Sequence, residues 1–316
     1  MMTSLSYRLP PQVTFKMGFI DLQVNGCFGV DFNQDDLGAD DLHRACEGLI
    51  QDGVEKILAT IITERLDKME QRLRRIVQLR GQDELIGRVV SGLHIEGPFL
   101  YEAEGYRGAH PLDAIVPADA DAAQRLLDAA GGLTRIFTLS PERDPGMQVT
   151  RMLAGRGITV SAGHCDTSLE ILDEAIDAGL SMFTHLGNGC PMHLHRHDNV
   201  VQRALARSDR LHLGFIADGA HVSFPALGNY LRLAGIDRCF VVTDAMAAAG
   251  LGPGRYKIGR WDLQIGEDLV ARAPDGSHLV GSAVSMQRAH ENLMRHAGVS
   301  EADAQRLTAK NPARFL

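Results

Sequence analysis

Apolar positions in this chain fall in short runs, and between the runs they recur with a helical period. Residues 19–24 (FIDLQV) read as a first buried strand ending in the loop 25–29. Helical spacing follows over 41–51, then a second strand over 54–62 (VEKILATII) and a long Arg-rich helical stretch over 66–79. A third strand is predicted over 87–95, running into Glu96, and a helix over 119–130 leads to a fourth strand over 133–139. The most informative stretch comes next. Apolar runs at 158–160 and 180–183 lead into His164 and His185, and the segment 168–178 between them carries Leu169, Leu172, Ala175 and Ile176 behind a Ser168 cap. Strand, histidine, helix, strand, histidine is a βαβ unit with imidazoles at the C-terminal ends of parallel strands.

A seventh strand is predicted over 211–217, ending at Asp218-Gly-Ala-His221, and an eighth over 238–243, ending at Asp244. Eight apolar strands alternating with helical stretches predict an α/β fold, a (β/α)8 TIM-type barrel. After the eighth strand, residues 256–279 alternate and contain the turn signal Pro274-Asp-Gly276, which reads as a β-hairpin excursion. Residues 285–296 and 301–310 read as closing helices. The expected organisation is a short N-terminal extension, 1–17, and one catalytic barrel domain, 18–316, with a β insertion at about 254–281.

Composition narrows this picture. The 316 residues, 45% hydrophobic and 23% charged, suit an ordinary globular protein, and a barrel of ~250 residues with insertions accounts for the length. No apolar run approaches the ~18 residues of a membrane helix, and residues 1–17 lack the apolar core of a signal peptide. Five scattered cysteines argue against a disulfide framework and for a reducing cytoplasm. A net charge of −8 argues against nucleic acid as a partner, but leaves room for a small anion in a local positive pocket.

Polar side chains stand at the C-terminal ends of most predicted strands: Asp21, Gln23 and Asn25, then Glu96, His164, His185, His221 and Asp244. One buried histidine is as often a hydrogen-bonded core residue as a ligand. Gathering on the catalytic side of a barrel shifts the balance towards function. His164, His185 and Glu96 form a three-ligand set with an open position, the arrangement of a hydrolytic metal site, where an ion would lower the pKa of a bound water towards ~7. Asp244 is then suited to take and return a proton. His193, His195 and His197 alternate around Arg196 and read as an exposed polar loop; Cys165 and Cys190 flank the site.

The segments 18–26, His94-Ile-Glu-Gly-Pro-Phe99, Gly108-Ala-His-Pro111, Gly163-His164, Thr184-His-Leu186 with Asn188, 218–222, 243–246, Gly281-Ser282 and Asn311-Pro-Ala313 occur in this order. Together they resemble the N-acetylglucosamine-6-phosphate deacetylase family of the amidohydrolase superfamily. The resemblance implies a metal-dependent barrel that removes acetate from N-acetylglucosamine 6-phosphate. It implies Glu96, His164 and His185 as metal ligands, Asp244 as catalytic acid/base and His110 as the group meeting the substrate carbonyl. Asn188 and Gly189 would meet the sugar phosphate, with Arg196 and His221 on the phosphate, part of that pocket coming across a homodimer interface. Gln23 and Asn25 stand where many amidohydrolases have His-x-His for a second metal. One divalent ion per subunit is therefore expected, Zn2+ first, with Fe2+, Co2+ or Mn2+ as alternatives. Family members also carry a small β-sandwich, which is expected here to be absent or vestigial. The Gly187-Asn-Gly-Cys-Pro segment departs from the bulkier family version. Two alternatives follow: an enzyme for N-acetylgalactosamine 6-phosphate or another N-acyl compound, and a non-catalytic barrel that binds a sugar phosphate.

Overall fold

A computed structural model describes residues 18–258, 261–276 and 279–316. The expected N-terminal extension, 1–17, lies outside the described residues, as do 259–260 and 277–278 of the hairpin excursion. Eight strands form one sheet, each parallel to its sequential neighbour: β1 (Phe19–Val24), β2 (Val54–Ile62), β3 (Val90–Glu96), β4 (Thr134–Leu139), β5 (Thr159–Ala162), β6 (Leu180–Phe183), β7 (His212–Ile216) and β8 (Cys239–Val242). This is the predicted barrel. All six residues of β1 and all four of β8 are buried, as expected of strands covered on both faces.

The seam between β8 and β1 is closed without a full ladder. Val24 bridges Ala245, and the Asn25 and Gly26 amides both donate to the Ala245 carbonyl. Below that point, the Asp21 carboxylate accepts from the Thr243 amide at 3.2 Å and from its hydroxyl at 2.5 Å. Burial pushes the Asp21 carboxyl up to about 7.

Helices α1 (Ala39–Gln51), α2 (Leu66–Gln82), α4 (Ala120–Ala129), α5 (Gln148–Gly155), α6 (Leu169–Asp177), α7 (Val200–Leu205) and α8 (Phe224–Ala234) connect the strands. Their starts follow sequence signals: Asp119 accepts from the Ala122 amide and Ser168 from the Ile171 amide. One boundary differs from expectation. Residues 87–89, predicted as strand, belong to a short helix, α3 (Glu84–Val89), because Asp83 caps it by accepting from the Ile86 amide. Apolar runs alone do not separate strand from buried helix.

Beyond β8 lies a three-stranded antiparallel sheet, β9 (Gly254–Ile258), β10 (Trp261–Ile265) and β11 (Ala271–Arg272), over its own apolar cluster of Met246, Leu263, Ile265 and Val280. Helix α9 (Met286–His296), capped by Ser285, and α10 (Glu301–Gln305) follow, and a 3-10 turn, Pro312–Phe315, comes last. The expected helix over 301–310 loosens after Gln305 into one wider turn, Arg306–Lys310. No helix among the described residues is long and apolar enough to cross a membrane.

Candidate active site

Three strands of the barrel, β5, β6 and β8, are followed by a non-glycine residue in the left-handed region: His164 (φ 52°), His185 (φ 32°) and Asp244 (φ 50°). Such backbone costs about 1–3 kcal/mol per residue and persists only where the surroundings enforce it, most often at functional sites. Here it gathers side chains over the barrel mouth. His185 Nε2 lies 2.9 Å and His164 Nε2 3.3 Å from Glu96 Oε1, and the two rings meet edge-on at 4.9 Å between centroids. One ligand atom from each of Glu96, His164 and His185 falls within 4.8 Å of the others, and all three residues are buried.

That donor set fits a divalent ion. The Tyr106 carbonyl, which can only accept, lies 2.8 Å from His164 Nδ1; it fixes the proton there and leaves Nε2 as a ligand. Gln23 donates its amide to the second Glu96 oxygen at 3.1 Å. Burial works to raise the Glu96 carboxyl, yet its two histidine neighbours outweigh that and hold it well below its ordinary value. An anionic carboxylate and two imidazoles in a dry site are what a hard-to-borderline cation needs.

Two further groups stand beside this set. His110 Nε2 is 3.2 Å from His164 Nε2, and burial takes the His110 imidazole down to about 3, so it is neutral. Asp244 receives the Asn25 amide on Oδ1 at 2.7 Å. Burial, then the nearby Glu96 charge, raises its carboxyl.

The residues expected to meet the sugar phosphate are distributed differently. Asn188 is tied back to the site, its amide and side chain both donating to the His185 carbonyl at 3.0 and 3.1 Å. Gly189 (φ 60°) packs directly on His164, where a Cβ would stand 2.8 Å from Nδ1. His221 is held by Asp218, Nδ1 to Oδ2 at 2.6 Å. Arg196 is exposed on the 187–199 loop, and no hydrogen bond joins it to the buried group among the described residues. His193, His195 and His197 are exposed on the same loop. Burial pushes the Cys190 thiol up to about 11 and the Cys165 thiol well above its ordinary value, and neither belongs to the cluster of Glu96, His164 and His185.

Sequence reasoning missed a polar layer under the site. His94 Nε2 meets the Thr138 hydroxyl at 2.8 Å, Thr138 meets Thr184 at 2.7 Å, and Thr184 meets Ser161 at 2.6 Å. Hydroxyls at Thr138 on β4, Ser161 on β5 and Thr184 just past β6 were the available signal.

Comparison with known proteins agrees with this geometry. The chain is 36% identical over 310 residues to the N-acetylglucosamine-6-phosphate deacetylase of Bos taurus, covering 95% of this chain and 73% of that one. The chain belongs to the N-acetylglucosamine-6-phosphate deacetylase family. A crystal structure of the Pasteurella multocida family member superposes with a TM-score of 0.83 at 29% identity, over 95% of this chain and 76% of that one. The N-acetylgalactosamine-6-phosphate deacetylase of Escherichia coli O157:H7 is 31% identical over 298 residues, 94% of this chain and 77% of that one. No family model matches the chain. Membership in a family of amidohydrolase-type deacetylases implies a divalent metal ion, and the cluster of Glu96, His164 and His185 can hold one.

Proposed function

We propose that this enzyme hydrolyses the N-acetyl group of N-acetylglucosamine 6-phosphate, giving glucosamine 6-phosphate and acetate. The observation that carries the reading is the convergence of Glu96, His164 and His185 with His110 and the raised carboxyl of Asp244 at one barrel mouth. A divalent ion bound by Glu96, His164 and His185 supplies Lewis-acid polarisation and acidifies a water. Two nitrogens and a carboxylate suit Zn2+ first, with Fe2+, Co2+ or Mn2+ as alternatives.

The protein's own groups do the rest. His110, kept neutral by burial, donates a hydrogen bond to the acetamide carbonyl oxygen and offsets the charge that builds there. Asp244 accepts the proton of the attacking water and returns it to the departing amine nitrogen. A carboxyl lifted by burial suits both halves of that cycle, since it holds a proton more readily than a solvent-exposed one. Asn188 and Gly189 border the sugar, and His221 and Arg196 hold the 6-phosphate, the guanidinium as a bidentate partner. Arg196 and the fully exposed Met192 lie on one loop, which supports a homodimer in which that loop completes the neighbouring pocket. Residues 18–316 act as one catalytic domain, and the five free cysteines fit a cytoplasmic enzyme.

The test is acetate release from N-acetylglucosamine 6-phosphate, with metal content measured on the same sample. Release that stops on chelation and returns with a divalent ion supports the reading. A metal-loaded protein that releases no acetate from this substrate points to N-acetylgalactosamine 6-phosphate, the substrate named for the Escherichia coli relative. Neither metal nor release leaves the non-catalytic binding barrel.

A further inference from the structure

We infer that Asn25 is a catalytic residue: its amide nitrogen fixes one oxygen of Asp244, and its amide oxygen accepts a hydrogen bond from the attacking water. The inference rests on the deacetylase reading and adds to it the group that orients the nucleophile. Two independent observations carry it.

The first is the contact across the barrel seam. Asn25 Nδ2 lies 2.7 Å from Asp244 Oδ1, although the residues are 219 positions apart. Their backbones are locked together as well, since the Asn25 amide donates to the carbonyl of Ala245 at 2.7 Å and Val24 bridges the same residue. The amide orientation is fixed by chemistry, because turning it over would set two acceptor oxygens against each other. Asp244 Oδ1 is thereby occupied by a donor, and Oδ2 is the oxygen left to take a proton.

The second observation is that Asn25 Oδ1 is buried and has no hydrogen-bond partner among the described residues. Buried acceptors in folded proteins are nearly always paired, so an unpaired one beside a reacting group marks a place for a donor. The two ends of one planar amide are close, so a donor on Asn25 Oδ1 also lies beside the Asp244 carboxylate. Water has the two O–H groups this arrangement needs. One donates to Asp244 Oδ2 and the other to Asn25 Oδ1, which aims the oxygen lone pair away from both and towards the acetyl carbon. In the reaction, one water proton passes to Asp244 and the water oxygen bonds to the acetyl carbon. The C–N bond breaks and Asp244 delivers the proton to the amine nitrogen. Asn25 neither gains nor loses a proton. Gln23, two residues earlier on β1, is committed to Glu96, so the two amides hold different partners.

The test compares wild type with Asn25→Leu, which keeps bulk, and Asn25→Ala, which serves if the leucine does not fold. For each, kcat, KM, metal per chain, melting temperature and the solvent deuterium isotope effect are measured. The expected result is a fall in kcat of about 100-fold, the scale seen on removing one aligned hydrogen bond at a reacting group. KM stays within about threefold, metal content is unchanged, and the isotope effect rises because proton transfer from an unaligned water limits turnover. A kcat per metal-loaded chain within about threefold of wild type overturns the inference, as does a loss that follows metal content or melting temperature alone. A wild type that releases acetate from neither N-acetyl sugar phosphate overturns the deacetylase reading, and this inference with it, before any variant is compared.

Discussion

The side-chain amide of Gln23 on β1 donates to Glu96 Oε2 at 3.1 Å, which leaves Oε1 of the same carboxylate to face both His185 and His164. A partner of this kind sets the orientation of a metal ligand without touching the metal, and its loss typically costs 10–100-fold in metal affinity. Gln23→Leu is therefore expected to weaken divalent-ion binding by about tenfold or more, measured by competition with a chromophoric chelator. At saturating metal, kcat recovers to near wild type. A variant with unchanged metal affinity would show that Glu96 is held by its histidines alone.

Asp244 plays a different part, and its replacement separates metal binding from chemistry. Asp244→Asn removes the proton acceptor while keeping a side chain that can still meet Asn25. Turnover is expected to fall by about 10²–10⁴-fold, the usual contribution of a positioned acid/base. Metal content and substrate affinity, the latter by calorimetry, stay close to wild type. Near-normal turnover would remove Asp244 from the mechanism.

The barrel and the place of its site were legible in the sequence because both depend on local pattern. Buried parallel strands write themselves as apolar runs, and the polar residue ending each run marks the catalytic face, as at Glu96, His164, His185 and Asp244. What the sequence concealed were partners without a side-chain signature or far away along the chain. The Tyr106 carbonyl that fixes the His164 tautomer is backbone, identical at every residue. Asn25 and Asp244 meet only because the barrel closes. Gly189 packs on His164, a contact that depends on the absence of a Cβ and leaves no mark in the sequence pattern. The Asp218–His221 pair, three residues apart, could have been found from spacing, since the turn that joins them is local.

Gly97 follows Glu96 directly and allows no substitution. Its φ is 87°, and a Cβ there would stand 2.0 Å from Thr63 Oγ1, a hydroxyl that donates to the Glu96 carbonyl at 3.2 Å. Gly97→Ala meets both left-handed strain and a clash, about 2–4 kcal/mol together. A melting temperature lower by about 5–10 °C is expected for a domain of this size, with weaker metal binding because the clash falls beside a ligand. An unchanged melting temperature would mean that Thr63 moves aside freely.

Glu142, just past β4, gives stability a pH dependence that can be isolated. Its Oε1 accepts from the Asp166 amide at 2.6 Å, whereas Oε2 is buried with no partner among the described residues. Burial pushes the carboxyl from its ordinary 4.5 up to about 7. A folded pKa above the unfolded one means that the stabilising share is complete below 4.5 and is lost as pH rises through 7. Glu142→Gln keeps the acceptor and never ionises. Its stability relative to wild type should be flat below pH 4.5, rise between 4.5 and 7, and level off above. The plateau is at most about 3 kcal/mol, and smaller because the side chain is only half-buried. Denaturant melts across this range check it, and a gap independent of pH would contradict it.

Asp218 offers a way to test phosphate recognition apart from catalysis. Its Oδ2 lies 2.6 Å from His221 Nδ1, and its Oδ1 accepts from the amides of Ala220 and His221 at 2.9 Å each. Burial works against the ionised form, but the hydrogen bonds from His221 outweigh it and keep the carboxyl below its ordinary value. The carboxylate accepts from Nδ1–H and so fixes the ring of the histidine proposed to meet the phosphate. Asp218→Asn retains the turn, since an amide oxygen can still accept both backbone N–H groups, but removes the charge behind the histidine. KM for the sugar phosphate should rise about tenfold, a loss of ~1.4 kcal/mol, while kcat stays within about threefold. Unphosphorylated N-acetylglucosamine, which has nothing for His221 to hold, should be processed with the same low kcat/KM by variant and wild type. The comparison decides the role, because a fall on both substrates alike would place Asp218 in the scaffold of the site, whereas a fall confined to the phosphorylated one ties it to the anion through His221.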